Sequence, residues 1–181
     1  MNDPFVFEFK KFGKLAHLDN IRVRITQKID GTNAQIVISP EGELLACSKN
    51  RVLTEHSDNY NFYKFCMENK QVLIDFLGVG RHYGEWAGPK INSGEGLTEN
   101  TLVLFDYWKY KDQQMPLEQL THVPILLDQT LDHVLMYDAI NTTNRDLQLK
   151  GSKLVPGFMD VEGMVLQIGS QSMKYRFRSG N

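Results

Sequence analysis

The sequence predicts an α+β domain in which antiparallel sheets carry helices on their outer faces. Apolar and polar residues alternate over residues 21–25 and, less strictly, over 34–38, which is the two-residue period of half-buried strands. Short segments containing glycine, proline or serine join several such strands, as they do in antiparallel hairpins. Between residues 58 and 77, by contrast, the apolar residues recur at mostly helical spacings.

The predicted elements follow one another along the chain from residue 21 to residue 177. Residues 28–31 are expected to turn between the first two strands, and residues 40–43 to form a second hairpin that leads into a strand over 44–48. One helix is expected from Asp58, its predicted N-cap, to a stop at Gly78. The remaining predicted elements are strands at 81–87, 101–108 and 123–127, a helix near 130–140, and strands at 162–168 and 173–177 joined by the turn 169–172.

Length and composition predict one ordinary domain. The chain has 181 residues, and 41% of them are hydrophobic and 23% charged. A domain of that size buries roughly 70% of its unfolded surface and needs no disulfide or metal to fold. With no linker and no repeat, we expect a single domain over 1–181 without a C-terminal accessory domain. The net charge of −2 argues against a general nucleic-acid binder.

The expected location is cytoplasmic. The two cysteines show neither a disulfide framework nor a zinc spacing. The first residues lack the apolar run of a secretory signal. Nowhere does an apolar stretch approach the roughly 20 residues that a membrane helix needs, so no membrane association is expected.

Six short motifs carry the chemistry of this sequence, and they occur in a fixed order. Each alone arises by chance in many proteins, whereas the ordered series is specific. The motifs are Lys-Ile-Asp-Gly at 28–31, Ser-Lys-Asn-Arg at 48–51, Tyr-Gly-Glu-Trp at 83–86, Leu-Phe-Asp at 104–106, Val-Glu-Gly-Met-Val at 161–165 and Met-Lys-Tyr-Arg at 173–176.

This series resembles the covalent nucleotidyltransferases, the superfamily of ATP-dependent DNA and RNA ligases and mRNA capping enzymes. Residues 28–33 and 84–89 are most similar to the phage RNA ligase 2 family, and the resemblance extends from about residue 20 to 177. It implies a ligase- or capping-enzyme-type nucleotidyltransferase domain, which is ATP-grasp-like. It also implies an ATP-dependent RNA ligase, which forms a lysyl-AMP intermediate, transfers AMP to an RNA 5′-phosphate and seals that end to a 3′-OH.

The resemblance makes Lys28 the nucleophile, assisted by Lys174 and Arg176. A lysine amine attacks phosphorus only in its neutral form, and the ordinary lysine pKa is about 10.4, so nearby cations and partial burial are needed. Lys174 and Arg176 are two residues apart on a predicted strand, which directs both cations to one place. If that place is the α-phosphate, they also neutralise charge that develops on its oxygens.

Two carboxylates and an aromatic residue complete the predicted site. By resemblance, Glu85 binds the ribose hydroxyls. Glu162 lies in an apolar segment, where it is costly to bury without a partner, and a Mg²⁺ or Mn²⁺ ion would supply one. Phe105 has two interpretations that remain open, stacking on adenine as the corresponding family residue does, or packing in the core of an apolar strand.

Further nucleotide contacts are implied around the nucleophile, where Gln27 replaces a glutamate that related ligases often carry. The basic residue of the second motif is ambiguous, because Lys49 and Arg51 would both lie on one face of a strand. The implied nucleotide-binding residues are Gln27, Ile29, Asp30, Gly31, Asn33, Lys49, Arg51, Glu85, Phe105 and Lys174.

Other functions remain open at this level. A DNA ligase or a capping-type enzyme would share the chemistry, and a non-catalytic module could bind nucleotides or nucleic-acid ends without forming an adduct. The expected partners are RNA 5′-phosphate and 3′-OH ends, together with a protein that supplies duplex binding if the domain cannot. We expect the chain to be a monomer.

Overall fold

Two β-sheets form the centre of the structure, a computed structural model that describes Lys11 and residues 19–177. The strands are β1 (Ile21–Lys28), β2 (Thr32–Ile38), β3 (Leu44–Cys47), β4 (Gly80–Ala87), β5 (Thr101–Leu104), β6 (Leu120–His122), β7 (Ile125–Leu131), β8 (Gly163–Ile168) and β9 (Gln171–Arg176). The helices are α1 (Phe62–Glu68), α2 (Lys70–Leu77), α3 (Tyr107–Tyr110) and α4 (His133–Lys150). One sheet has the order β7-β1-β8-β9 and the other the order β3-β2-β4-β5-β6.

The α+β prediction is confirmed, since all strand pairs except β5 with β6 are antiparallel. The predicted pairing of the first two strands is wrong. β1 pairs with β7 and β8, whereas β2 pairs with β3 and β4. Residues 28–31 therefore carry the chain from one sheet to the other. The other predicted hairpins are found, between β2 and β3 and between β8 and β9.

The single helix predicted after Asp58 is in fact two helices, which meet at Asn69. The formal N-cap of α1 is Asn61, whose φ of 64° is left-handed. Asp58 nevertheless accepts hydrogen bonds from the backbone N–H groups of Tyr63 at 2.7 Å and Lys64 at 3.2 Å, so its carboxylate satisfies donors of the first turn. Gly78 ends α2 with a φ of 73°, as predicted.

Three other predicted boundaries are corrected. β5 ends at Leu104, and residues 107–110 form a short helix instead of continuing the strand. The strand predicted at 123–127 starts only after Pro124, which has no N–H to donate, and runs to residue 131 as β7, while a separate short strand, β6, precedes it. The following helix begins later and is longer than predicted, because Asp132 accepts from two N–H groups of its first turn and the end lies at Gly151.

Each sheet packs one apolar core against helices, and a third cluster includes residues on the opposite face of the five-stranded sheet. One core packs α1 and α2 against the five-stranded sheet, and another packs α4 against β1 and β8. The third contains Ile29, Ala87, Val103 and Val123. Ile29 belongs to the segment that links the sheets, so this cluster fixes the crossing. No helix among the described residues is long and apolar enough to cross a membrane.

Candidate active site

Lys28 is the last residue of β1 and lies where the chain leaves one sheet for the other. In the strand register it is opposite Gly163 of β8, which is in turn opposite Arg176 of β9. Residues directly opposite one another project from the same face of a sheet. Since the intervening residue is a glycine, no side chain separates Lys28 from Arg176.

Glu162 joins these two cations. Its Oε2 lies 2.5 Å from Nζ of Lys28, and its Oε1 lies 3.0 Å from Nε of Arg176. Glu162 is 9% exposed and directly precedes β8, where its carbonyl accepts from the N–H of Phe177. A buried carboxylate was expected to need a positively charged partner. Within the protein, Lys28 and Arg176 provide that positive charge.

Lys174 lies on the same face of β9 as Arg176, as predicted. It is opposite Val165, two residues along β8 from Gly163, and it is exposed. Since alternate residues of a strand share a face, both cations project toward the side that carries Lys28.

Glu85 approaches the site from the five-stranded sheet. It lies on β4 opposite Asn33 of β2, so these two predicted residues share a face. Glu85 is 9% exposed. Burial, and to a lesser extent the carboxylates of Glu162 and Asp30, raise the pKa of Glu85 to about 7 against the lowering effect of Lys28. Charges that β1 and the residue before β8 carry thus act on a side chain of the five-stranded sheet.

Gly31 permits the close approach of the linking segment to β4. A Cβ atom at this position would lie 2.5 Å from the carbonyl oxygen of Trp86 and 2.8 Å from Cγ of Glu85. Only glycine fits without moving the backbone. The side chain of Ile29, two residues earlier, is buried in the third apolar cluster. Ile29 was predicted to bind the nucleotide, and with its side chain buried it could do so only through its backbone.

Gln27 and Asp30, which lie on either side of Lys28 and Ile29, both contact Glu95, a buried residue that sequence analysis missed. Glu95 is fully buried and accepts hydrogen bonds from Gln27 Nε2 at 2.5 Å and from the Asp30 N–H at 3.1 Å. The Asp30 carboxylate accepts from the Ser93 N–H at 3.1 Å. The sequence offers no signal for these contacts, since the partners are more than 60 residues apart. Gln27, predicted to contact nucleotide, uses its amide inside the protein.

Phe105 is 45% exposed and directly follows β5, which argues against the core-packing interpretation. Its backbone N–H donates to the Tyr83 carbonyl at 2.9 Å. It lines a cleft of about 310 Å³ together with Arg24, which projects from the same face of β1 as Lys28, although Lys28 itself does not line the cleft. An exposed ring beside such a cleft can stack on a base.

Lys49 and Arg51 are not on one strand face, contrary to the prediction. β3 ends at Cys47, and both residues belong to an exposed turn closed by the hydrogen bond from Ser48 N–H to the Arg51 carbonyl at 2.9 Å. The Arg51 guanidinium also donates to the Asp58 carbonyl at 3.2 Å. Strand alternation thus gives no basis for choosing between them.

The donor chemistry of Glu162 fits a Mg²⁺ or Mn²⁺ ion, since both ions prefer carboxylate oxygens. The described residues contain no cluster of three or more His, Cys, Asp or Glu side chains that could hold a metal. Mg²⁺ commonly binds one or two carboxylates and completes its shell with water and phosphate oxygens. Glu162 would therefore hold such an ion together with a substrate, not in a protein cage.

Comparison with known proteins identifies the family. Solved structures of Naegleria gruberi RNA ligase share this fold: an apo variant, at 25% identity, and a variant with ATP and Mn, at 24%. For both, the TM-score is 0.59 and the match covers 88% of this chain and 50% of the ligase chain, so this chain spans about half its length. No curated protein matches the chain. A family model described as RNA ligase matches residues 21–177, and the chain therefore belongs to the RNA ligase family.

Proposed function

We propose that this chain performs ATP-dependent RNA ligation through a covalent lysyl-AMP intermediate. The contact of Lys28 with Glu162, which also pairs with Arg176, is the observation that carries the proposal. These residues lie in a chain of the RNA ligase family. Structures of N. gruberi RNA ligase variants with ATP and Mn, and with AMP and Mn, support the same nucleotide chemistry here.

In the first step, Nζ of Lys28 attacks the α-phosphorus of ATP as a neutral amine. A P–N bond forms, the bond from the α-phosphorus to the bridging oxygen breaks, pyrophosphate leaves, and the nitrogen releases a proton to solvent. Arg176 and Lys174 would neutralise the charge that develops on the phosphoryl oxygens. A divalent cation held by Glu162 would supply additional positive charge that polarises the α-phosphate.

The nucleotide would be oriented by residues of the five-stranded sheet. Glu85 as a carboxylate accepts hydrogen bonds from the two ribose hydroxyls, and Asn33 beside it offers an amide. Phe105 stacks on adenine from the end of β5. AMP then passes to an RNA 5′-phosphate, and the attack of a 3′-OH releases AMP and joins the ends.

Intact-protein mass spectrometry tests the first step. Incubation with ATP and Mg²⁺ is expected to add one AMP to the wild type and none to Lys28→Ala. Lys150→Ala is the matched control, because Lys150 pairs with Asp146 on α4, outside the site. A wild-type mass unchanged by ATP would refute the proposal.

Ligation is tested separately with 5′-phosphorylated strands. RNA ends with ATP are expected to be joined in preference to DNA ends, and GTP is not expected to replace ATP. Adduct formation followed by preferential sealing of DNA would retain the lysyl-AMP step and reject RNA as the substrate. An adduct with GTP alone would indicate a capping-type enzyme.

A further inference from the structure

The fully buried carboxylate of Glu95 is not accounted for by the reaction proposed above. Glu95 lies in the short 3₁₀ turn Gly94–Gly96, with a φ of 50° that non-glycine residues rarely adopt. A buried carboxylate is costly unless hydrogen-bond donors surround it. Its partners therefore indicate what the residue does.

The two oxygens of Glu95 bind on either side of the nucleophile. Oε1 accepts from Nε2 of Gln27 at 2.5 Å, and Oε2 accepts from the N–H of Asp30 at 3.1 Å. Gln27 directly precedes Lys28, and Asp30 follows it by two residues. One rigid carboxylate thus spans the segment that carries the reactive amine.

The orientation of the Gln27 side-chain amide is fixed by the hydrogen bond to its oxygen atom. Its Oε1 accepts from the backbone N–H of Lys153 at 2.7 Å, so its NH₂ group must face Glu95. That NH₂ group also donates to Oγ of Ser152 at 2.7 Å. Gln27 is 1% exposed, so water does not compete for these bonds. At the contact between Gln27 and Glu95, the amide can therefore only donate a hydrogen bond and the carboxylate can only accept one.

The neighbouring residues of the Glu95 segment hold the same part of the chain. The Ser93 N–H donates to the carboxylate of Asp30 at 3.1 Å, and Nδ2 of Asn92 donates to the Gly31 carbonyl at 2.7 Å. Residues 92–95 therefore make three hydrogen bonds to the linking segment, two with Asp30 and one with Gly31. The side chain of Lys28 itself is directed to Glu162.

We infer that Glu95 is a positioning residue, which sets the place of the Lys28 amine by holding Gln27 and Asp30. The inference rests on the proposed function, because it concerns the lysine that would carry AMP. In-line attack requires the amine within a narrow range of positions, and a displacement of about 1 Å can lower a rate by about 100-fold. Glu95 acts on Lys28 through its neighbours in sequence, the side-chain amide of Gln27 and the backbone N–H of Asp30.

Exchanging the two side chains tests the inference. Glu95→Gln places an amide against the Gln27 amide, and Gln27→Glu places two carboxylates in contact. The double variant Gln27→Glu/Glu95→Gln restores one donor and one acceptor at the contact, and still offers an oxygen to Asp30 and to Lys153. Lys28-adenylate formation is followed in single turnovers over a range of ATP concentrations, and the folded fraction by circular dichroism.

Each single variant is expected to lower the rate at saturating ATP by at least about tenfold, with the ATP concentration for half-saturation little changed. The double variant is expected to return to within about threefold of the wild type. Leu73→Ala is the control: it removes a buried side chain from the core that packs α2 against the five-stranded sheet, so it should lower the melting temperature and leave the rate unchanged. Single variants with wild-type rates, or a double variant no faster than the singles, would overturn the inference.

A second measurement needs no ATP and separates the two proposals. Acetylation of Lys28 by a limiting amount of acetic anhydride is measured by peptide mass spectrometry, with the other lysines as internal references. The single variants are expected to change the relative labelling of Lys28 at least about threefold, and the exchange to restore it. If the wild type forms no adenylate, the proposed function fails while this labelling still decides the role of Glu95. Unchanged labelling in folded single variants would overturn the inference, as would labelling that follows only the folded fraction.

Discussion

Replacing Glu85 by glutamine is expected to stabilise the fold at alkaline pH while it impairs the proposed activity. Burial raises the pKa of Glu85 to about 7 from an ordinary value of 4.5. The folded protein therefore disfavours the charged form that the site uses. Glutamine has the same shape without the charge, and its single carbonyl oxygen can replace only part of the acceptor capacity of the carboxylate.

The size and the pH window of the effect follow from the two pKa values. Below pH 4.5 the carboxyl is protonated in both the folded and the unfolded chain, so it contributes no difference. Between pH 4.5 and 7 only the unfolded chain releases the proton, and stability falls as pH rises. Above pH 7 the full loss is reached, and at about 1.4 kcal/mol per pH unit it amounts to about 3 kcal/mol.

Urea unfolding at pH 4 and pH 8 measures this effect. Glu85→Gln is expected to equal the wild type at pH 4 and to exceed its free energy of unfolding at pH 8 by about 3 kcal/mol. The exposed Glu118 provides the control, since Glu118→Gln should show no such dependence. Adenylate formation by Glu85→Gln should fall at both pH values. Equal stabilities of Glu85→Gln and the wild type at pH 8 would refute the reasoning.

Three further substitutions have expected outcomes. Gly31→Ala places a Cβ 2.5 Å from the Trp86 carbonyl, so it should lower the free energy of unfolding by about 1–3 kcal/mol and abolish adenylate formation; a fully active, stable variant would contradict this. Asp58→Ala removes an acceptor of the first turn of α1 and should cost about 1 kcal/mol in thermal melts, with the adenylation rate unchanged. Phe105→Ala should leave stability within about 1 kcal/mol and weaken ATP binding in calorimetry, whereas unchanged affinity would exclude stacking.

Strand alternation and turn composition predicted the local elements well, because both are properties of neighbouring residues. The hairpin between β8 and β9 is an example, since its strands and its Gly169 turn are adjacent in sequence. The partner of β1 was predicted wrongly for the same reason. Residues 28–31 have the composition of a hairpin turn, and only contacts with β7 and β8, more than 90 residues away, place β1 in a separate sheet.

Prediction of the site depended on motifs, so it was limited to the residues that the motifs contain. The motifs named Lys28, Glu162 and Arg176, and the structure brings these three together through a glycine in the middle strand. They did not name Glu95, because nothing in its sequence neighbourhood records contacts with Gln27. They also assigned Lys49 a strand face, where the chain has already left β3.

The crossing between the sheets explains how a short local motif can hold Lys28, the lysine proposed to carry AMP, in a defined position. A free four-residue turn would leave Lys28 mobile, since glycine at position 31 permits many conformations. Here the apolar side chain of Ile29 is buried against β4 and β5, while Asp30 is held by the segment that contains Glu95. Lys28 can then be directed toward Glu162 of the other sheet because the residues on each side of it are already fixed. The position of the Lys28 amine is therefore set by the contacts that join the two sheets. The motif contributes the residues, Ile29 and Asp30, that make those contacts.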